Sequence, residues 1–234
     1  TNLTSVDNVG FGAGYRELFI NSDDNVYAID SLGFSYSFDQ GSSFSRNMTA
    51  GVLDIVVNSS GTIFVAYQST GFGYSTNNGA SYTNVSTGDG LGDTYVSSLH
   101  ITSDDTILAA TNGGLSISQD DGLSFSNFTT PNGLASNTVK VVNVDSSGKI
   151  YAGTDSGLSI SSDGGASFTT KTTADGLGSN IIQAIAFSSN GVVYIGTSAG
   201  LSISNDGGNS FENYTSLPYV SSLYNYADGF YTNN

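Results

Sequence analysis

The chain has 234 residues, no cysteine, and 20 acidic residues against five Lys and Arg, for a formal net charge of −15. That charge repels phosphate and argues against nucleic acid or an anionic membrane as partner; no cysteine means no disulfide and no thiolate for zinc; no apolar run approaches the roughly 20 residues of a membrane span. Glu occurs twice while Gly, Ser, Thr and Asn supply 114 residues, a balance that favours short strands and tight turns over helices.

Along the chain, one pattern recurs. Residues 157–168 read Gly-Leu-Ser-Ile-Ser-Ser-Asp-Gly-Gly-Ala-Ser-Phe, and close copies stand at 114–125 and 200–211, with weaker ones ending at Tyr82 and Phe44. The acid or amide of each copy is Asp39, Asn77, Asp120, Asp163 and Asp206, at spacings of 38, 43, 43 and 43. A fixed period of this length belongs to a four-stranded propeller blade. The approximate blades are 15–50, 51–90, 94–132, 137–175 and 180–216.

The fifth unit shows the expected strands most plainly. Asn180 to Phe187 is nearly continuous apolar sequence and reads as an inner strand buried on both faces. Ser188 to Gly191 carries the Asn-Gly hairpin signal. Val192 to Gly196 is the second strand; Leu201 to Ser204 alternates and reads as a half-buried third; Ser210 to Tyr214 is the outer strand. Closing such sheets into a ring removes the exposed edges of a lone meander. The fold class is therefore all-β: a β-propeller with five full blades and a partial sixth.

The octad Ser-x-(Asp/Asn)-x-Gly-x-Ser-(Phe/Tyr) in all five copies resembles the Asp-box, or BNR, repeat. Its aromatics are Phe44, Tyr82, Phe125, Phe168 and Phe211, where the family usually has Trp. The resemblance implies an architectural box: the acid accepts backbone N–H groups across the turn, and the aromatic anchors the sheets. The segments Asp89-Gly-Leu, Asn132-Gly-Leu and Asp175-Gly-Leu, with Ile-Gly-Thr at 195–197, resemble the propeller sensor repeats of bacterial two-component regulators.

The ends are unbalanced. Thr1, Asn2, Leu3 and Thr4 match an outer strand, whereas Tyr219, Val220, Leu223, Tyr224 and Tyr226 match an inner strand followed by Phe230 and Tyr231 on a second. Residues 1–14 and 217–234 thus form an incomplete sixth blade in the same ring, lacking its third strand, decorate a five-bladed one, or pair with another copy to make a homo-oligomer or filament.

Asp-box propellers include sialidases and other glycoside hydrolases. A sialidase needs three arginines, and this chain has Arg16 and Arg46 only; its two Glu, Glu17 and Glu212, fall at unrelated blade positions. No Asp stands apart from the repeat as half of a hydrolytic pair, and the single His100 on an inner strand reads as packed or solvated. The expected role is a non-catalytic extracellular interaction or structural module that assembles with itself; the alternative is a lectin-like or sensor propeller binding a glycan or small ligand. No cofactor is expected except, as a candidate, calcium at Asp23, Asp24, Asp104 and Asp105 in first-hairpin turns. Sequons at Asn2, Asn47, Asn58, Asn84, Asn127 and Asn213 are candidate glycosylation sites, in a number that the Asn, Ser and Thr content alone accounts for.

Overall fold

Each repeat folds into one antiparallel meander, because its apolar runs are too short for helices and are separated by Gly, Asn and Asp turns. The computed structural model describes residues 17–20, 24–30, 33–47, 51–217, 219–223 and 232–233. Blade one is β1 (Glu17–Ile20), β2 (Val26–Asp30), β3 (Gly33–Ser37) and β4 (Ser45–Asn47). Blade two is β5 (Val52–Val57), β6 (Ile63–Tyr67), β7 (Phe72–Ser75) and β8 (Thr83–Val85). Blade three is β9 (Val96–Ile101), β10 (Ile107–Thr111), β11 (Gly114–Ser118) and β12 (Ser126–Phe128). Blade four is β13 (Val139–Val144), β14 (Ile150–Thr154), β15 (Leu158–Ser161) and β16 (Thr169–Lys171). Blade five is β17 (Ile182–Phe187), β18 (Val193–Thr197), β19 (Gly200–Ser204) and β20 (Glu212–Tyr214). All five are four-stranded sheets with strands in sequence order.

The first strands of successive blades are neighbours: β5 packs on β1 and β2, β9 on β5 and β6, β13 on β9 and β10, and β17 on β13 and β14. A last pair, β21 (Ser222–Leu223) and β22 (Thr232–Asn233), continues the series, with β21 against β17 and β18. Val220 is fully buried, and its N–H donates to Thr197 O at 3.2 Å. It repeats the buried column of Val52, Val96, Val139 and Ile182. Residues 219–223 therefore hold the inner-strand position of a sixth blade next to blade five of the same chain. Tyr219 is exposed, Leu223 half-buried, and Thr1, Asn2, Leu3, Thr4, Tyr224, Tyr226, Phe230 and Tyr231 lie outside the described residues.

Burial bears out one expectation, extends it, and corrects another. The inner strand of blade five is covered on both faces, with Ala184, Ile185 and Ala186 buried in succession; the second strand is covered likewise, β2, β6, β10 and β14 being buried throughout, whereas the inner strands β9 and β13 are buried only in part. The inner strand is the rim of its sheet, so part of it faces the space at the centre. The third strand, expected half-buried, is buried on both faces as well: Ser116, Ser159 and Ser202 are fully covered. Their hydroxyls accept the N–H groups of Gly92, Ala135 and Gly178 at 2.9, 2.9 and 3.0 Å. The alternation Leu-Ser-Ile-Ser records two buried faces, one apolar and one hydrogen-bonded.

The box aromatic reaches back to the preceding blade. Phe125 meets Phe72 edge-on at 5.3 Å, and Tyr82 meets Phe34 edge-on at 6.1 Å. Tyr82 is the exception among the five, because its buried hydroxyl has no hydrogen-bond partner and burial pushes its pKa up. Tyr82→Phe is expected to raise stability by about 1 kcal/mol, since it removes an unpaired polar atom and keeps the ring. A urea midpoint lower than that of the parent would show that the hydroxyl has a partner in solution.

Candidate functional site

The box residues form closed turns. Asp163 Oδ1 accepts Ser161 Oγ at 2.7 Å and Ser167 N at 3.0 Å, and Oδ2 accepts Ser167 Oγ at 2.6 Å. Asp39, Asp120 and Asp206 repeat these contacts with Ser37 and Ser43, Ser118 and Ser124, and Ser204 and Ser210. At Asn77 one bond reverses, and Nδ2 donates to Ser81 Oγ at 2.8 Å. These serine donors hold Asp39 and Asp163 down at about 2. Two successive left-handed residues make the turn, as at Asp121 (φ 57°) and Gly122 (φ 79°), which is why glycine recurs in the second place.

A second recurring device locks each blade to the next. Short 3-10 turns at Thr87–Asp89, Thr130–Asn132 and Thr173–Asp175 connect blades two to five. The carbonyls of Asp89, Asn132 and Asp175 accept the N–H groups of the box aromatics Phe125, Phe168 and Phe211 at 2.9, 3.1 and 2.9 Å. Two sequon asparagines belong to this lock. Asn127 Oδ1 accepts Ser116 Oγ and its Nδ2 donates to Gly113 O at 2.9 Å; Asn213 likewise bonds Ser202 and Ala199 O. Asn58 is 7% exposed, and its Nδ2 donates to Asp121. Each of the three amide nitrogens donates one hydrogen bond within the fold. Asn84 is exposed on β8, Asn47 is half-buried on β4, and Asn2 lies outside the described residues.

The first-hairpin acids do not converge. Asp104 accepts the Thr102 hydroxyl, Asp105 binds the backbone and hydroxyl of Ser59 in blade two, and Asp24 is exposed; Asp23 lies outside the described residues. Among the described residues, no three His, Cys, Asp or Glu side chains gather as a metal site. Arg46 pairs with Asp30 at 2.5 Å.

The residues that break the repeat gather where the inner strands converge. Each of β5, β9, β13 and β17 carries a one-residue bulge, at Leu53, Ser97, Lys140 and Gln183. A bulge re-aims a side chain out of the pleat. These four, with Asp54, Ser98, Val141 and Ser221 to Leu223, line a cavity of about 250 Å³. Its walls are stapled across blades: Leu99 N donates to Asp54 Oδ2 at 2.6 Å, and Ser97 Oγ donates to Val139 O at 3.0 Å. Asp54 Oδ1 also accepts Ile55 N at 2.7 Å. Burial raises its pKa to about 7 against the pull of these donors. Lys140 is half-buried and has no ion pair or hydrogen bond with the described residues. Lys149 and Lys171 instead donate to Gly207 O and Asn209 O. Sequence reading missed this constellation because it followed the repeated columns. The signal was in the variable one, at 53, 97, 140 and 183.

The fold is that of a β-propeller, and solved propellers resemble it. The extracellular domain of a hybrid two-component system from B. thetaiotaomicron superimposes with a TM-score of 0.79 at 18% identity, over 92% of this chain and 32% of that one. An ancestral GH74 enzyme gives 0.68 at 20% identity, over 86% and 31%. YCF48 bound to D1 peptide gives 0.65 at 12%, over 89% and 71%. The chain thus spans about a third of the first two. No family model and no curated protein matches the sequence. No helix among the described residues is long and apolar enough to cross a membrane.

Proposed function

We propose that the chain is a non-catalytic, extracellular propeller module that binds a small, carboxylate-bearing ligand where its inner strands converge. The observation that carries this is Lys140: among the described residues it is the one cation without a protein partner, and a bulge aims it into that cavity. Ser98, Gln183 and Ser222 lie around it as neutral hydrogen-bonding groups. In this reading the five turns are Asp boxes of the BNR type and serve as scaffold. The likeness to the extracellular domain of a two-component system supports a sensing or recognition role outside the cell.

The likeness to a GH74 enzyme raises hydrolysis as the competing reading. Glycoside hydrolysis needs two carboxylates flanking one bond. Among the described residues Asp54 is the one carboxylate in the cavity lining, and both its oxygens accept backbone N–H groups. Assembly through residues 219–223 is not part of the proposal, since that segment docks on its own blade five.

Calorimetric titration with a panel of small carboxylates and neutral oligosaccharides tests the reading. The expected result is binding of a carboxylate that falls at least about tenfold in Lys140→Met, the loss of one charge-assisted contact. Binding of neutral sugars alone, or equal affinity in the variant, sinks it; turnover of a glycan would restore the hydrolase.

A further inference from the structure

A larger cavity lies elsewhere, between blades three and four, at about 550 Å³. It continues outward into a second of about 300 Å³ that shares Ile117, Gln119 and Gly164. Its cause is a local lapse of the repeat. The second position of the second strand is Tyr27, Phe64, Tyr151 and Tyr194 in blades one, two, four and five, and Leu108 in blade three.

The neighbouring interfaces show what is missing. Between blades four and five, Tyr151 is fully buried against Phe187 at 4.9 Å, with its hydroxyl 3.1 Å from Gly207 O and 3.2 Å from Asp145 Oδ2. Lys149 Nζ donates to the same carbonyl at 3.0 Å. Between blades two and three, Phe64 stacks on Phe72 at 5.6 Å, and Asn58 Nδ2 bridges to Asp121 Oδ1 at 3.2 Å. In the cleft the counterparts of Tyr151, Lys149, Asp145 and Phe187 are Leu108, Thr106, Thr102 and Val144, three of them smaller and Thr102 without the second carboxylate oxygen, and all line the space. No side chain there bridges to Gly164, the counterpart of Gly207.

We propose that this cleft is a binding slot for one aromatic ring, supplied by a small phenolic ligand. Leu108, Ile117, Val144 and Ile150 make the apolar walls. The Gly164 carbonyl stands where Gly207 O holds the Tyr151 hydroxyl, and the Thr102 hydroxyl, which takes the Thr106 N–H as Asp145 Oδ1 takes that of Lys149, lies beside it. A ligand longer than one ring runs outward past Gln119 toward Phe128. The slot is independent of the Lys140 cavity, since no lining residue is shared.

Methyl-resolved NMR with p-cresol as probe tests it. The expected outcome is saturable shifts of the Leu108, Ile117, Val144 and Ile150 methyls, with a Kd on the order of 1 mM for so small a ligand. Cyclohexanol should bind at least about tenfold more weakly, lacking the ring face and the phenolic donor. Leu108→Tyr, which supplies the blade's own ring, should abolish the shifts. Val144→Phe closes the slot from the other wall and decides the matter if Leu108→Tyr does not fold. No saturable shift in the parent protein, or undiminished binding in a folded variant, overturns the proposal.

Discussion

Gly176→Ala should cost about 3 kcal/mol or more and lower the urea midpoint accordingly. Gly176 ends the 3-10 turn between blades four and five in a left-handed conformation, φ 96°. A left-handed backbone costs an L-residue roughly 1–2 kcal/mol. The added methyl would also sit 1.9 Å from Phe211 O and 2.9 Å from Phe211 C, closer than any relaxed side chain approaches backbone. Relief requires the connector to lift, which breaks the bond from Phe211 N to Asp175 O and exposes Leu177, now 4% accessible. Losing that bond adds roughly 1–3 kcal/mol. Gly191→Ala separates the two contributions. Gly191 has a similar φ of 82° in a hairpin turn, but nothing lies within 4 Å of an added Cβ, so only the backbone cost, about 1 kcal/mol, is expected. Equal losses in the two variants would mean that the connector is not clamped on the box aromatic.

Gly176 also shows how far the sequence could be read. The Asp-Gly-Leu segment was visible as a repeat, and the 43-residue period it shares gave the four-stranded blade and its strand order while leaving five or six blades open. Its purpose was not visible, because the partner of Asp175 is a backbone N–H 36 residues away, and backbone groups leave no compositional mark. The same holds for Ser202, which looks solvent-facing by alternation and is buried because the loop at Gly178 folds over it. Asn127 and Asn213 match a sequon equally well whether their amides point to solvent or close the lock. The cavities were harder still. Leu108 and Lys140 matter because they depart from their columns, and only the packed blades show that Leu108 leaves a space and that Lys140 points into one.

Asp54 and His100 together should make the parent protein nearly indifferent to pH between about 4.5 and 6.5, with single variants exposing two opposite slopes. Asp54 has its pKa raised by burial from 3.8 to about 7. The unfolded chain ionises first, so the stability this group contributes is complete below 3.8 and is lost as pH rises through about 7. His100 has its pKa lowered by burial from 6.5 to about 4. Its contribution is complete above 6.5 and is lost as pH falls toward about 4, where the folded state finally takes the proton. Each gap corresponds to a change on the order of 3–4 kcal/mol across its window, with opposite sign. His100→Asn, which installs the residue that blade four carries at Asn143, should therefore gain stability on acidification from pH 7 to 4.5, as Asp54 alone remains. Asp54→Asn should lose stability over the same interval, whatever its level at neutral pH, because only the histidine still titrates. Urea midpoints at half-unit pH steps read the slopes directly. Parallel curves for the parent and both variants would show that neither group is held away from its ordinary protonation, and that water reaches the inner strands where the structure covers them.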